Sequence, residues 1–209
     1  MHDLVCKLKS LKSGEVGEKV RRRIEEFGET RSKGDERWFS ELCFCILTAN
    51  SSARLGIRIQ EKLGEKGFLA LSLPELTREL RAMGHRFYRK RAEFITEARD
   101  LRRLKEIIRD LSTATEAREW LVKNVKGLGY KEASHFLRNI GYDGVAILDR
   151  HVLRTLHKEG IIERVPHHLS KSDYLSIEQK LREVAEKAGL TLAELDLYLW
   201  YMATGEILK

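Results

Sequence analysis

Apolar residues return every three or four positions along most of this 209-residue chain. The spacing is clearest in residues 16–27, 38–46 and 94–108. This repeat places apolar side chains on one face of an α-helix. No segment shows the convincing alternation of apolar and polar residues that marks a half-buried strand. The chain is therefore predicted to be all-α, with about ten helices joined by short turns.

Helix start signals support this prediction. A Ser or Thr followed three residues later by Glu is typical of a capping box, in which each side chain binds the backbone N–H of the other. The sequence predicts three such boxes: Ser72 with Glu75, Thr113 with Glu116, and Thr191 with Glu194.

A glycine-containing turn at residues 125–130 separates two predicted helices, and Lys131 follows it directly. Asp149 lies further along, just ahead of another predicted helix. Glycines let a turn approach a phosphate backbone closely, and a helix N-terminus favours an anion. An amine that can form a Schiff base, beside a carboxylate and a phosphate-binding turn, indicates chemistry on DNA. Taken singly, the glycines could form only a tight turn and Asp149 could be only an N-cap.

Charge and cysteine content narrow the class of protein. The chain has 39 Lys and Arg against 32 Asp and Glu, a net charge of +7, which favours a polyanionic partner. The three cysteines, Cys6, Cys43 and Cys45, are too few for a four-cysteine iron–sulfur cluster, and their odd number indicates a reducing, intracellular location, which we take as cytoplasmic. No apolar run has the roughly 20 residues of a membrane span.

The segment from Val125 to Asp149 resembles the signature of the helix-hairpin-helix DNA glycosylases of the endonuclease III superfamily. Residues 47–53, the pair Phe87-Tyr88 and residues 200–209 resemble one branch of it, the small archaeal and bacterial 8-oxoguanine DNA glycosylase/lyases of the second type. The resemblance implies two helical lobes, residues 31–128 and residues 1–30 with 129–209. The active site would lie in the cleft between the lobes, with the hairpin at about 117–140 at their junction.

The resemblance also implies site residues. Lys131 would be the catalytic amine and Asp149 the catalytic carboxylate. Asn50, with Ser51 beside it, would enter the duplex opposite the orphaned base. Phe87, Trp200 and Lys209 would contact the flipped base.

Other positions follow from the residues themselves. Ser134 and His135 lie three and four residues after Lys131 and are candidate walls of the base pocket. Gly127 and Gly129 would bind phosphate through the turn, with Lys126 and Arg150 adding contacts. We hypothesise that the C-terminal tail supplies the acceptor that distinguishes the N7–H of 8-oxoguanine from the lone pair of guanine.

Three functions stay open at this point. The first is excision of 8-oxoguanine from double-stranded DNA by a monomeric enzyme that needs no metal or other cofactor. The hairpin could still bind a monovalent cation, as the resemblance implies. The second is an endonuclease III-like enzyme for oxidised pyrimidines. That branch usually carries four clustered cysteines near its C-terminus, so the absence of any cysteine after Cys45 disfavours this function. The third is a non-catalytic DNA-binding module, which would have no use for Lys131 and Asp149 together.

Overall fold

The computed structural model describes residues 2–101 and 103–209, and this part of the chain contains twelve α-helices and no β-strand. The predicted all-α class is confirmed. The helices are α1 (His2–Lys12), α2 (Glu15–Ser32), α3 (Asp35–Thr48), α4 (Ala53–Ala70), α5 (Leu73–Ala82), α6 (Tyr88–Ala98), α7 (Leu104–Asp110), α8 (Ala114–Asn124), α9 (Tyr130–Asn139), α10 (Arg150–Lys158), α11 (Lys171–Ala188) and α12 (Leu192–Thr204). No described helix is long and apolar enough to cross a membrane.

Two of the three predicted capping boxes are confirmed, at the starts of α5 and α12. There Glu75 and Glu194 accept the backbone N–H of the N-cap residue at 2.8 and 2.7 Å. The third is only half formed. Thr113 accepts the N–H of Glu116 at 3.1 Å, but the Glu116 carboxylate binds the N–H of Ser112 at 2.9 Å instead.

The apolar repeat over residues 94–108 does not form one continuous helix. It is divided between α6 and α7, with Arg99 at the end of α6. The Arg99 guanidinium donates to the carbonyls of Phe68 and Leu71 at 2.8 and 2.7 Å. These bonds satisfy carbonyls at the end of α4 and tie the α6–α7 turn to it.

Two hydrophobic clusters form the interior. One is built mainly on α3 to α9, and the other combines α1 and α2 with α10 to α12. Three α9 residues beyond the predicted lobe boundary at residue 128, Ala133, Phe136 and Leu137, pack into the first cluster together with the C-cap residue Ile140. The division into lobes stays a prediction, and α9 lies where the two clusters meet.

A buried ion pair connects the hairpin to α11. Arg118 of α8 is fully buried and binds both carboxylate oxygens of Glu178, at 2.5 and 3.1 Å. Glu178 also accepts the backbone N–H of Ala146 at 2.8 Å. One carboxylate therefore contacts the first hairpin helix and the segment that leads to Asp149.

We predict that Glu178→Gln lowers the free energy of unfolding by about 3 kcal/mol, because it leaves the Arg118 charge buried without its counter-ion. Denaturant titration measures this loss. Glu79→Gln is the matched control, since Glu79 pairs with Lys62 in a largely exposed salt bridge. Its loss should lower the free energy of unfolding by much less. Equal losses of unfolding free energy in Glu178→Gln and Glu79→Gln would show that the buried pair contributes no more than the exposed one.

Candidate active site

A cavity of about 1140 Å³ opens between α9, α10, α12, the turn before α4 and the C-terminal tail. It brings together eight residues that the sequence predicted. They are Asn50, Ser51, Lys131, His135, Asp149, Arg150, Trp200 and Lys209. Lys126, Gly127 and Gly129, which were predicted for the phosphate-binding turn, do not line it. Neither do Phe87 and Ser134, which were predicted for the base pocket.

Lys131 lies in the first turn of α9, which begins after the N-cap residue Gly129. Its side chain is 25% exposed, and its Nζ lies 3.5 Å from a carboxylate oxygen of Glu132. The other Glu132 oxygen accepts the N–H of Gly129 at 3.2 Å. Glu132 therefore caps the helix and holds the amine at the cavity wall.

Asp149 is in the N-cap position considered for it and also lies at the cavity, and its catalytic role stays a prediction. It is the N-cap of α10, where Oδ1 accepts the N–H of Val152 at 2.8 Å. It also lines the cavity with Lys131. Its second oxygen accepts no described hydrogen bond, so the cap leaves that oxygen able to act on a bound molecule.

The hairpin turn requires glycine at position 127. Gly127 has a φ of +87°, and a Cβ there would come within 2.4 Å of the Phe94 ring. Lys126 beside it is exposed and pairs with Glu97 at 2.9 Å. The turn is thus a separate surface from the cavity, at the N-terminus of the helix that bears Lys131.

Asn50 lines the cavity in a left-handed conformation, with a φ of +56°. Arg91 donates to the carbonyl of Ala49 at 2.7 Å, and Arg86 donates to that of Asn50 at 3.5 Å. The N-cap of α4 is Ser52 rather than Asn50. Asn50 is therefore held in an exposed turn without serving as a helix cap.

The structure separates the two pocket walls predicted on α9. His135 lines the cavity and is almost fully buried. Burial, with the charges of Arg138 and Lys131, holds the pKa of His135 well below its ordinary value, so the ring is neutral.

Ser134 does not line the cavity, so its predicted place in the pocket wall is wrong. It is fully buried, and its hydroxyl lies 3.3 Å from both the Arg118 guanidinium and the Tyr174 hydroxyl. A step of four residues along a helix nearly repeats the direction of Lys131, whereas a step of three points about 60° to one side. Ser134 therefore faces α8 and α11 instead of the cavity.

Trp200 and Phe87, the two aromatic residues predicted to contact the base, differ in their position relative to the cavity. Trp200 lines the cavity, packs edge-on against His151 with ring centroids 4.8 Å apart, and has a buried indole N–H without a described partner. Phe87 is 37% exposed and lies outside the lining, although the Arg86 guanidinium that lines the cavity lies 4.4 Å from its ring centre. Its contact with a base stays a prediction.

Lys209 fixes the tail against the cavity. Its Nζ binds both oxygens of the buried Glu41, at 2.9 and 3.1 Å, and also contacts Gln60. The Glu41 carboxylate also accepts from Asn139, Arg37 and the Gln60 side-chain amide, at 3.0, 2.9 and 3.2 Å. Lys209 also lines a second cavity, of about 700 Å³, which shares none of the other predicted site residues.

Sequence reasoning missed a second buried carboxylate, Asp196, which pairs with Arg138 and lines the cavity. A signal was present, because Asp196 interrupts an otherwise apolar stretch of α12 four residues before Trp200. Burial, with a smaller contribution from the nearby Asp149 charge, raises the pKa of Asp196 to about 6 against the opposing effect of Arg138.

This pKa predicts a pH-dependent stability. The Asp196 carboxyl binds its proton more tightly in the folded chain than in the unfolded one, so its contribution favours folding at low pH and is lost as pH rises through about 6. The difference in unfolding free energy between wild type and Asp196→Asn should fall by on the order of 3 kcal/mol from about pH 4 to about pH 8. Denaturant titrations across that range test it, and a constant difference would contradict it.

Comparison with known proteins decides the family. A family model described as 8-oxoguanine DNA glycosylase matches residues 20–190. This chain belongs to that family. A relative from Korarchaeum cryptofilum named 8-oxoguanine DNA glycosylase/AP lyase is 54% identical over 208 residues, covering 99% of this chain and 98% of its own. The predicted family and enzyme class are thereby confirmed.

Solved structures agree with this family assignment. The Methanocaldococcus jannaschii 8-oxoguanine glycosylase/lyase in complex with 15mer DNA containing 8-oxoguanine is 51% identical to this chain. It has a TM-score of 0.96 and covers 99% of each chain. A trapped endonuclease III–DNA covalent intermediate, 20% identical with a TM-score of 0.56, covers 88% of this chain and 84% of its own and shows a shared fold alone.

Metal binding is the remaining question for the site. Within residues 2–101 and 103–209, no group of three or more His, Cys, Asp or Glu could hold a metal ion. In the hairpin turn, the carbonyls of residues 126–128 accept none of the described backbone hydrogen bonds, and carbonyl oxygen suits a hard cation. Both the absence of a cofactor and a monovalent cation at the hairpin stay predictions.

Proposed function

We propose that this chain excises 8-oxoguanine from double-stranded DNA and then nicks the abasic strand, with Lys131 as the nucleophile and Asp149 as the essential carboxylate. The observation that carries the proposal is that the cavity brings Lys131 and Asp149 together with an aromatic wall, Trp200. A cavity of about 1140 Å³ has room for a flipped nucleotide.

The chemistry assigns a separate task to each group. The neutral Lys131 amine attacks the sugar C1′, the bond from C1′ to the base breaks, and the base leaves with the electron pair and takes up a proton. The amine then loses a proton and the C1′–O4′ bond breaks, which opens the sugar ring and gives the Schiff base, with O4′ taking up a proton. Loss of a proton from C2′ permits β-elimination, in which the C3′–O bond breaks and the 3′ phosphate leaves with the electron pair. Asp149 stabilises the positive charge that develops on the sugar while the base departs and assists proton transfers.

DNA binding uses surfaces around the cavity. The N-terminus of α9 and the glycine turn bind a phosphate, Arg150 and Lys126 add salt-dependent contacts, and Asn50 enters the gap that the flipped nucleotide leaves. The exposed position of Asn50 at the cavity rim supports this role. We further propose that the chain acts as a monomer, in the cytoplasm.

Borohydride trapping tests the nucleophile. On a duplex with a single 8-oxoguanine, wild type should form a covalent adduct, and Lys131→Gln should form none, since it has no amine. A thymine-glycol duplex is the substrate control. An adduct on thymine glycol alone would favour the oxidised-pyrimidine alternative, and an adduct that persists in Lys131→Gln would assign another nucleophile.

Asp149→Asn separates the charge of Asp149 from its helix cap. Asparagine is about as good an N-cap as aspartate, so the free energy of unfolding should hardly change. The single-turnover rate of excision should fall by about 100-fold or more, because the charge that stabilises the sugar is lost. Binding to the lesion duplex should stay within about twofold of wild type. An unchanged excision rate would remove Asp149 from the mechanism.

We propose that the tail supplies the acceptor for the N7–H of the lesion. Support comes from the tail itself, because Leu208 and Lys209 line the cavity and Glu41 anchors the Lys209 side chain. Appending a short Gly-Ser segment after Lys209 should displace this acceptor and reduce the ratio of excision rates for 8-oxoguanine and guanine. A variant that keeps the wild-type ratio would exclude the tail from lesion recognition.

A further inference from the structure

The segment from Gly144 to Leu148 leads directly into Asp149 but belongs to no helix or strand. Its residues 145–148 are nevertheless buried. A buried segment outside regular structure needs other partners for its backbone N–H and C=O groups. Several of these partners are side chains of α11.

Tyr174 provides the contacts nearest to Asp149. Its hydroxyl donates to the carbonyl of Ala146 at 2.7 Å and accepts the N–H of Leu148, the residue before Asp149, at 3.2 Å. Glu178, one helical turn further along α11, takes the N–H of Ala146 at 2.8 Å. Two side chains of one rigid helix therefore fix the backbone on which Asp149 stands.

The same hydroxyl contacts the helix that bears Lys131. Ser134 Oγ lies 3.3 Å from Tyr174 Oη, and Arg118 donates to Ser134 Oγ at 3.3 Å. A phenol has one hydrogen, which the short bond to Ala146 uses, so the Ser134 hydroxyl donates to Tyr174. With Leu148 as the second donor, the hydroxyl has three partners and joins α9 to the Asp149 segment.

We propose that Tyr174 is a positioning residue for base excision, which sets Asp149 relative to Lys131 through this single hydroxyl. The inference rests on the proposed roles of Lys131 and Asp149. Tyr174 is 3% exposed and does not line the cavity, so it acts only through the groups it holds. A carboxylate that stabilises a developing charge must be accurately placed, since a displacement of about 1 Å can cost about 100-fold in rate.

Tyr174→Phe removes the hydroxyl and keeps the ring, which packs 5.4 Å from the ring of Tyr130. We expect the single-turnover rate of excision to fall between about 10-fold and about 100-fold, while affinity for the lesion duplex stays within about twofold. Tyr174→Phe should slow borohydride trapping on a preformed abasic site by less than it slows excision, because the base has already departed from that substrate.

Tyr142→Phe is the matched control. Tyr142 is partly buried, whereas Tyr174 is buried, and like Tyr174 it donates to a backbone carbonyl, that of Ile108 at 3.4 Å. It lies outside the cavity lining and the Asp149 segment. It should leave excision, affinity and trapping unchanged. Equal losses of excision in Tyr142→Phe and Tyr174→Phe would overturn the proposal, since any buried hydroxyl would then matter as much.

A double-mutant cycle distinguishes positioning from general destabilisation. If Tyr174 acts through Asp149, then Tyr174→Phe should slow excision in the wild-type background and hardly at all in the Asp149→Asn background. The same fold-loss in both backgrounds, or no loss in the wild-type background, would overturn the inference and leave the proposed function intact. A wild-type chain with neither excision nor a trapped adduct would overturn the proposed function, and this inference with it.

Discussion

The buried ion pair between Arg118 and Glu178 holds together the elements on which the cavity depends. Removing two charges from water is costly, so further hydrogen bonds to both groups help such a pair to persist. Here Arg118 donates to Ser134 at 3.3 Å, although its Nε has no described partner, and Glu178 accepts the N–H of Ala146 at 2.8 Å. The groups that stabilise the pair lie on α9 and on the segment before Asp149. The interaction that joins the hairpin to α11 therefore also fixes the two elements that carry Lys131 and Asp149.

Helix α9 packs against both hydrophobic clusters and also carries side chains that line the cavity. Its apolar side chains, such as Phe136 and Leu137, fill the first cluster. Ser134 faces the ion pair, whereas Lys131 and His135 face the cavity. Asn139 at its end binds Glu41, which also anchors Lys209 of the tail. Since every face of α9 is occupied, the helix has little freedom to rotate, and the direction of the Lys131 side chain is set by packing.

Much of this could be predicted from local pattern. Helical repeats and capping residues depend on neighbours in the chain, so the all-α class and two of the three capping boxes were predicted correctly. The break between α6 and α7 within residues 94–108 coincides with a tertiary contact, because Arg99 binds carbonyls at the end of α4, which no local pattern shows. The wrong assignment of Ser134 arose because a spacing of three residues leaves the side chain's direction open until its neighbours are known.

The sequence by itself determined the helices, the glycine turn at position 127 and the two residues, Lys131 and Asp149, that indicated chemistry on DNA. Each depends on residue type and spacing alone. Only the tertiary structure decided which side chains share the cavity, including the pairing of Asp196 with Arg138 and the anchoring of Lys209 by Glu41. The physical reason is that burial and electrostatic pairing depend on contacts between residues far apart in the chain. The pKa of Asp196, raised to about 6 by burial, exists only once those contacts have formed.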